Sequence, residues 1–500
     1  MRKRFLYFIL FWLISNILYA ETIECFPEKP KLGKFGNYSI IKNLISHSGD
    51  VGSPMIPLSS VFMKLPVNKK IANVKISFLQ SESIFLDHPL IPIQQMQPLV
   101  KKTAPEFVLP SDVAYHKRVY PDNKLFKVSY GFCGSSKIGQ ISFYSIKYLP
   151  LQQVIEVPSK VKIEYDLVTG DSKNRKITTD NYTTSRIKQE IGLKNSKNDI
   201  QPVYLLIFPQ ALSSAYADLA EWRNKQGITV ITETYENILS LSSGVDEQEK
   251  LRNFIIEMYQ EHQISHLTLG ADVSIIPSRI AFAFDCDYGL ADNENDLLCD
   301  MYYGCLDGNW DANGNGIYGE DEDETDYWAE VYVSRIPAEN SAQVEYYIEK
   351  LKQYEQGEIE QYEKAGGFSM QLWPGCSSEI CQQFIYEIFF PQNYQIELLY
   401  GENNNEDAAY QLLNDNLNLA QHTGHGWFTS LSLENGQISH NNISNLQNEW
   451  GGIFYSIGCW TAAMDYNAIG ESLVRKIDAG FLGYVGNSRY GWGAAGAPQP

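Results

Sequence analysis

Positive charge is scarce in this chain. Against 60 aspartates and glutamates stand 40 lysines and arginines, a formal net charge of −20. A surface of that sign repels phosphate backbones and anionic headgroups, which argues against nucleic acid or an acidic membrane as partner. Long apolar runs are scarcer still. One follows Arg2, Lys3 and Arg4 and ends at Ala20, and no second candidate for a membrane span appears after it. A charged start, a short apolar stretch and a small residue at the end form an export signal, so residues 1–20 are set aside and no stable membrane span is expected once they are removed. Cysteine is sparse, with eight residues, all after Ala20. Export permits disulfides. If Cys459 is kept as a thiol, seven remain and one more must be unpaired; the spacing does not fix the connectivity. No internal repeat is visible.

What is present falls into two grammars. Five hundred residues exceed one ordinary core, so two or three domains are expected. From residue 21 to about 195, runs such as VKISFLQ, KLFKVSYGF, QISFYSIKYL and KVKIEYDL alternate apolar and polar residues between Pro and Gly punctuation. They predict an antiparallel β-rich domain over 21–195. Its last stretch, Asp171–Asp199, is polar and basic without apolar periodicity, and reads as an exposed linker. From 196 to 500 short buried-strand runs such as VYLLIF, ITVITE and AEVYVSRIP alternate with amphipathic helical patterns such as DEQEKLRNFIIEMYQEH and SAQVEYYIEKLKQYEQG. Such alternation predicts an α/β domain, a mostly parallel sheet with helices on both faces.

Two runs near the C-terminal end bring reactive residues to strand ends. LAQHTGHGWF carries His425 and IFYSIGCWTA carries Cys459, each beside a glycine. Sites in open parallel α/β sheets lie beyond the carboxyl ends of the strands. On neighbouring strands, His425 and Cys459 would face each other as base and thiolate nucleophile. Gly426 and Gly458 would let the backbone approach a substrate, and the N–H groups of Gly426 and Cys459 are candidate oxyanion donors. Taken alone, a cysteine after a buried strand is more often an inert small hydrophobe. His422 and His425 could also be metal ligands, although no third ligand is obvious nearby.

HTGHG followed by GCWTAAMD resembles the gingipain-type cysteine peptidases, and the likeness extends over about 300 residues. VYLLIFPQALSSAYADLAEWRNKQGITV is similar to the family's first strand, helix and second strand. LTLGADVSIIPSRI and AEVYVSRIP resemble later strands, and GYVGNSRYGW the strand and Trp loop beside the substrate pocket. The resemblance implies a caspase-like fold, His425 as catalytic base, Cys459 as nucleophile, and Trp492 at the substrate. It also suggests Glu379 as an acidic residue for a basic side chain before the cut bond, although a glutamate at a helix start is ordinary. Two departures stand out. Gln371 occupies the position where several relatives place a glutamate near the histidine, and an amide cannot stabilise imidazolium as a carboxylate does. The family also continues further, so the peptidase domain is expected to be truncated at Pro500.

One acidic loop carries calcium spacing. DANGNGIYGEDE offers Asp311, Asn313, Asn315, the Ile317 carbonyl and Glu322 at alternate positions, with Gly316 at the turn. Related peptidases often carry such an insert, whereas the plain alternative is a solvated acidic turn. The combined expectation is a cysteine endopeptidase acting on proteins or peptides, secreted or at the cell surface through bacterial-type export. It would carry structural calcium, need no cofactor for catalysis, and be held as a zymogen by the β-rich prodomain until the linker is cut. A catalytically weak homologue serving as a calcium-binding surface or adhesion protein stays open on the residues alone, as does a Cys-His acyltransferase or amidase.

Overall fold

The computed structural model describes residues 21–494 apart from 45, 101–104, 171–176, 194–199, 284–285, 287, 291–293, 324, 358–361 and 374–375. The proposed signal segment lies outside the described residues.

The first part is antiparallel β-structure. Its strands include β1 (Glu21–Cys25), β2 (Leu58–Leu65), β3 (Lys69–Phe85), β4 (Gln97–Pro98), β5 (Leu125–Cys133), β6 (Ser136–Tyr144) and β7 (Val154–Thr169). β7 pairs along nearly its whole length with β3, from Val154↔Phe85 to Thr169↔Lys69, and with β1 on its other edge. A second sheet is ordered β2-β6-β5. The alternation in β7 explains the stacking. Val161, Ile163 and Tyr165 point inward against Ile141 and Phe143 of the second sheet, while Lys160, Lys162 and Glu164 point away.

The stretch expected to be an exposed linker is different in its middle. Helix α1 (Tyr182–Glu190) is capped by Asn181, whose side chain accepts from the Thr184 amide. Asn181 is fully buried, and its Nδ2 donates to the Ile264 and Glu330 carbonyls at 2.6 and 2.8 Å. Thr183 donates to the Ser265 carbonyl at 2.6 Å, and the Ile177 amide to Asp307 at 3.0 Å. These polar side chains serve buried backbone rather than water, so residues 177–193 are docked on the second part of the chain. The flanking stretches 171–176 and 194–199 lie outside the described residues.

The second part is α/β, with its parallel strands divided between two sheets rather than collected in one. The first sheet comes from β8 (Val203–Phe208), α2 (Ser213–Lys225), β9 (Thr229–Thr234), α3 (Glu247–His262), β10 (His266–Leu269) and β11 (Tyr332–Arg335), ordered β9-β8-β10-β11 and parallel throughout. Strand β8 is buried on both faces and correspondingly apolar. α2 packs Tyr216 and Leu219 on one side of the sheet, and α3 packs Leu251, Ile255 and Tyr259 on the other. Helix α4 (Ser341–Glu355) then carries the chain across. Its buried Lys350 donates to the Val474 and Ala479 carbonyls at 2.9 and 3.2 Å, tying the two halves together.

The second parallel sheet follows from β12 (Lys364–Ser369), β13 (Gln371–Trp373), α5 (Glu379–Phe389), β14 (Gln395–Leu399), α6 (Glu406–Leu413), β15 (Leu419–Thr423), β16 (Ile453–Ser456), α7 (Ile469–Arg475) and β17 (Gly483–Val485). Its order is β14-β12-β15-β16-β17 over a core containing Phe368, Leu413, Phe454 and Phe481. Strand β13 stands outside this sheet. The last described strand, β18 (Trp492–Gly493), pairs antiparallel with β4 of the first part.

Candidate active site

Register brings the chain stretches that carry His425 and Cys459 side by side. β15 and β16 are parallel neighbours with Leu419↔Ile453, Ala420↔Phe454, Gln421↔Tyr455 and His422↔Ser456. The offset is 453 − 419 = 34 residues, and 459 − 425 = 34 as well. Both residues therefore emerge beyond the carboxyl ends of adjacent strands, three residues past the His422↔Ser456 pair. The backbones touch there. A Cβ on Gly426 would lie 3.0 Å from Gly458 Cα, and one on Gly458 3.1 Å from Gly426 Cα. Only residues without side chains allow that approach.

The two histidines of HTGH have separate surroundings. His422 is fully buried on β15, with Nδ1 2.8 Å from Ser456 Oγ and Nε2 2.8 Å from the Ser432 carbonyl. A carbonyl only accepts, so Nε2 carries the hydrogen and Nδ1 accepts from the serine. Burial pulls its pKa down to about 4. Both ring nitrogens are engaged inside the protein, which is the environment of a structural histidine. His425 is half-buried. Its Nε2 lies 2.6 Å from the Leu372 carbonyl and its amide donates to Met370 Sδ at 3.4 Å. The same logic puts the hydrogen on Nε2 and the lone pair on Nδ1. The group that orients this imidazole is thus a main-chain carbonyl of β13. Gln371, one residue earlier, has an exposed side chain, and its main-chain N–H donates to the Glu434 carboxylate at 2.8 Å.

Cys459 is 1% exposed. The Gly491 amide donates to its sulfur at 3.3 Å. Burial pushes the thiol up to about 11, partly offset by the amides of Gly491, Leu99, Cys459 itself and Val100. Leu99 and Val100 belong to the first part of the chain and cover the sulfur. The Leu99 amide donates to the Gly491 carbonyl at 2.8 Å, continuing the β4–β18 pairing in which Pro98 faces Trp492 and Gln97 faces Gly493. Nothing in MQPLVKK marks it as a cleft-covering segment; its alternation is too short to separate it from any loop. The covering segment and the Leu372 carbonyl are the two features of the site that residue patterns could not supply. Cys459 is a thiol, as are Cys25, Cys133, Cys299 and Cys305.

The remaining candidates are spread out. Trp492 is partly exposed and packs edge-on against Tyr288 at 6.1 Å. Glu379 opens helix α5, where its carboxylate accepts from Gln383 at 3.1 Å. In the acidic loop, Asp311, Asn313 and Asn315 accept from the amides of Gly316, Asn315 and Ile317 at 3.2, 2.9 and 2.8 Å. Glu320 receives the Asn313 and Asn315 amides at 3.2 and 2.6 Å, and buried Asp323 takes four backbone amides. Glu322 is exposed. Among the described residues, no group of three or more His, Cys, Asp or Glu is arranged to hold a metal by those side chains alone, and no helix is long and apolar enough to cross a membrane.

The family model for Peptidase family C25 matches residues 197–499, more than half of the chain. The chain belongs to Peptidase family C25. Within this C25 chain the match takes in both parallel sheets together with His425 and Cys459. A similar curated protein is Lys-gingipain HG66 of Porphyromonas gingivalis, 22% identical over 497 residues; the alignment spans 94% of this chain but 27% of the relative. Among solved structures, the Arg-specific cysteine proteinase gingipain R matches with a TM-score of 0.45 at 16% identity, covering 58% of this chain and 63% of that one. A complex of pro- and mature domains from Porphyromonas gingivalis matches with a TM-score of 0.43 at 15% identity, over 57% and 64%.

Proposed function

We propose that this C25 chain is a cysteine endopeptidase with His425 and Cys459 as its catalytic dyad. The observation that carries the reading is the common offset of 34, the strand register and the residue spacing being the same. In the open enzyme His425 Nδ1 takes the Cys459 proton, and the thiolate adds to the carbonyl carbon of the bond to be cut. The carbonyl oxygen gains the charge, and the Gly426 and Cys459 amides are the proposed donors to it. Collapse expels the amine, which takes its proton from His425. Water, deprotonated by the same imidazole, then hydrolyses the thioester and frees the acid. Throughout, the Leu372 carbonyl holds Nε2–H and fixes the ring. As a neutral acceptor it stabilises imidazolium less than a carboxylate would. The test is hydrolysis of a protein substrate by the wild-type chain, by Cys459→Ala and by His425→Ala after the linker is cut. Activity lost in both variants supports the dyad; activity kept in either removes it.

The intact chain is latent in this account. Residues 21–195 act as a prodomain, and Leu99–Val100 exclude substrate from a sulfur that burial keeps protonated. Cutting near 171–176 or 194–199, at the ends of the docked stretch, releases the cover. Export through residues 1–20 would deliver the zymogen outside the cell or to its surface.

Structural calcium in the acidic loop is a separate proposal. The loop's two Asx-type turns and the Asp311–Gly316 bond across it are those of a cation-wrapping loop, and Asp311 Oδ1 is buried there without a partner. Asp311, Asn313, Asn315 and the Ile317 carbonyl would hold the ion. Glu320, already turned inward, suits the carboxylate position better than exposed Glu322.

A further inference from the structure

We infer that the pocket beside Cys459 takes an uncharged aliphatic side chain on the acyl side of the bond cut, the position that Leu99 holds in this chain. The inference rests on the peptidase reading and specifies its substrate class.

Orientation comes first. Gln97, Pro98 and Leu99 run antiparallel to Gly491–Gly493 with main-chain pairing, the way an extended peptide adds to a sheet edge. The Leu99 amide donates to the Gly491 carbonyl at 2.8 Å, the Gly491 amide donates to the Cys459 sulfur at 3.3 Å, and Leu99 and Cys459 share one buried cluster, so Leu99 is the residue set beside the sulfur. Main-chain bonds of this kind set the register, and the pocket beneath the straddling residue sets the preference.

The pocket's chemistry is apolar. Leu99 is 1% exposed and belongs to a buried cluster with Trp373, Trp460, Tyr490 and Ala283. Gly493 shapes the space: a Cβ there would come 3.1 Å from Leu99 Cδ2 and 3.1 Å from the Trp373 ring. Room for a branched aliphatic group exists because residue 493 has no side chain.

Charge is turned away. Buried Glu294 reaches this cluster through the Tyr490 hydroxyl at 2.6 Å, but its carboxylate also accepts the Tyr288, Gly289 and Leu290 amides. A lysine or arginine head would have to displace those donors. The Arg489 guanidinium, 4.5 Å from the Trp460 ring, and the Asp465 carboxylate at 3.0 Å are engaged with each other, so a substrate ion of either sign would have to break that pair. An uncharged side chain meets neither conflict.

The test uses the full chain after the linker is cut and peptides Gln-Pro-X bearing a chromogenic amide, with X as Leu, Met, Lys, Arg or Asp. Leu and Met are expected to exceed Lys, Arg and Asp in kcat/KM by at least about tenfold. Faster cleavage after Lys or Arg, with Cys459→Ala inert, overturns this inference and leaves the peptidase reading standing. If no peptide or protein substrate is cut, the peptidase reading fails, and a second measurement judges the pocket. In the uncut chain, alkylation of Cys459 by iodoacetamide, followed by peptide mass mapping, should stay slow for Leu99→Met. It should quicken by at least about tenfold for Leu99→Lys and Leu99→Asp. A Leu99→Lys chain as protected as wild type contradicts an aliphatic pocket.

Discussion

Two histidines three residues apart meet opposite surroundings, and that contrast sets the first prediction. His425 has one ring nitrogen tied to a carbonyl and one to spare, whereas His422 has both engaged in the interior. Cys459→Ala and His425→Ala should abolish hydrolysis while leaving the melting temperature near wild type. His422→Ala should instead destabilise the fold by about 1–3 kcal/mol, since it strands Ser456 and the Ser432 carbonyl. Activity assays beside thermal melts separate the cases; equal activity losses at stable fold for both histidines would point to a shared metal site. The second prediction concerns pH. Burial raises the Cys459 thiol from 9.0 to about 11, so the uncut chain should resist alkylation at pH 8 and yield only as pH climbs toward about 11. Removing the cover re-solvates the sulfur and should shift the reactivity profile to lower pH. Proton binding here also favours the folded, covered state: the contribution is complete below pH 9.0 and lost as pH rises through about 11. A profile that does not move on cutting contradicts the covering role.

At the scale of elements, the strand ends made His425 and Cys459 legible in the sequence as a candidate pair. HTGHG and SIGC each end a strand, and the spacing between His425 and Cys459 proved to be the ladder offset. Alternation likewise identified the antiparallel first part, and βα alternation the parallel sheets. Two elements were illegible for physical reasons. The division of the parallel strands into two sheets depends on where α4 carries the chain, which strand patterns do not encode. The docked stretch 177–193 looks like linker because Asn181, Thr183 and Thr184 are polar, yet each bonds buried backbone or caps α1. Asn181→Ala should therefore cost about 1–3 kcal/mol and open this region to limited proteolysis, both visible in melts and digestion time courses. An unchanged digestion pattern would mean that the stretch is held by other contacts. In the acidic loop, calcium added to stripped protein should raise the melting temperature. Asp311→Ala and Glu320→Ala should remove that rise, whereas Glu322→Ala should keep it. Loss at Glu322 alone would restore the simple template, and no rise in any protein ends the calcium proposal.

For the whole molecule, the two parts of the chain meet at the sulfur. Cleft-covering strand β4 sits between the antiparallel sheets and the parallel ones, and its pairing with β18 closes the site with ordinary main-chain bonds. Further contacts hold the parts together at a distance from the cleft. The Phe132 amide donates to Asp326 at 2.7 Å, Phe62 meets Trp328 edge-on at 5.9 Å, and Lys42 pairs with Glu387 at 3.5 Å. In the proposed reading this arrangement would hold Cys459 covered while the chain is continuous, and a single cut near either end of the docked stretch would have a chemical consequence. The most direct measurement is the rate of peptide hydrolysis by the chain expressed from Glu21, followed before and after cutting within 171–199, with Cys459→Ala alongside. The account predicts little activity before the cut, a large rise after it, and none at any time in Cys459→Ala. Hydrolysis by the Cys459→Ala chain at the wild-type rate would contradict it.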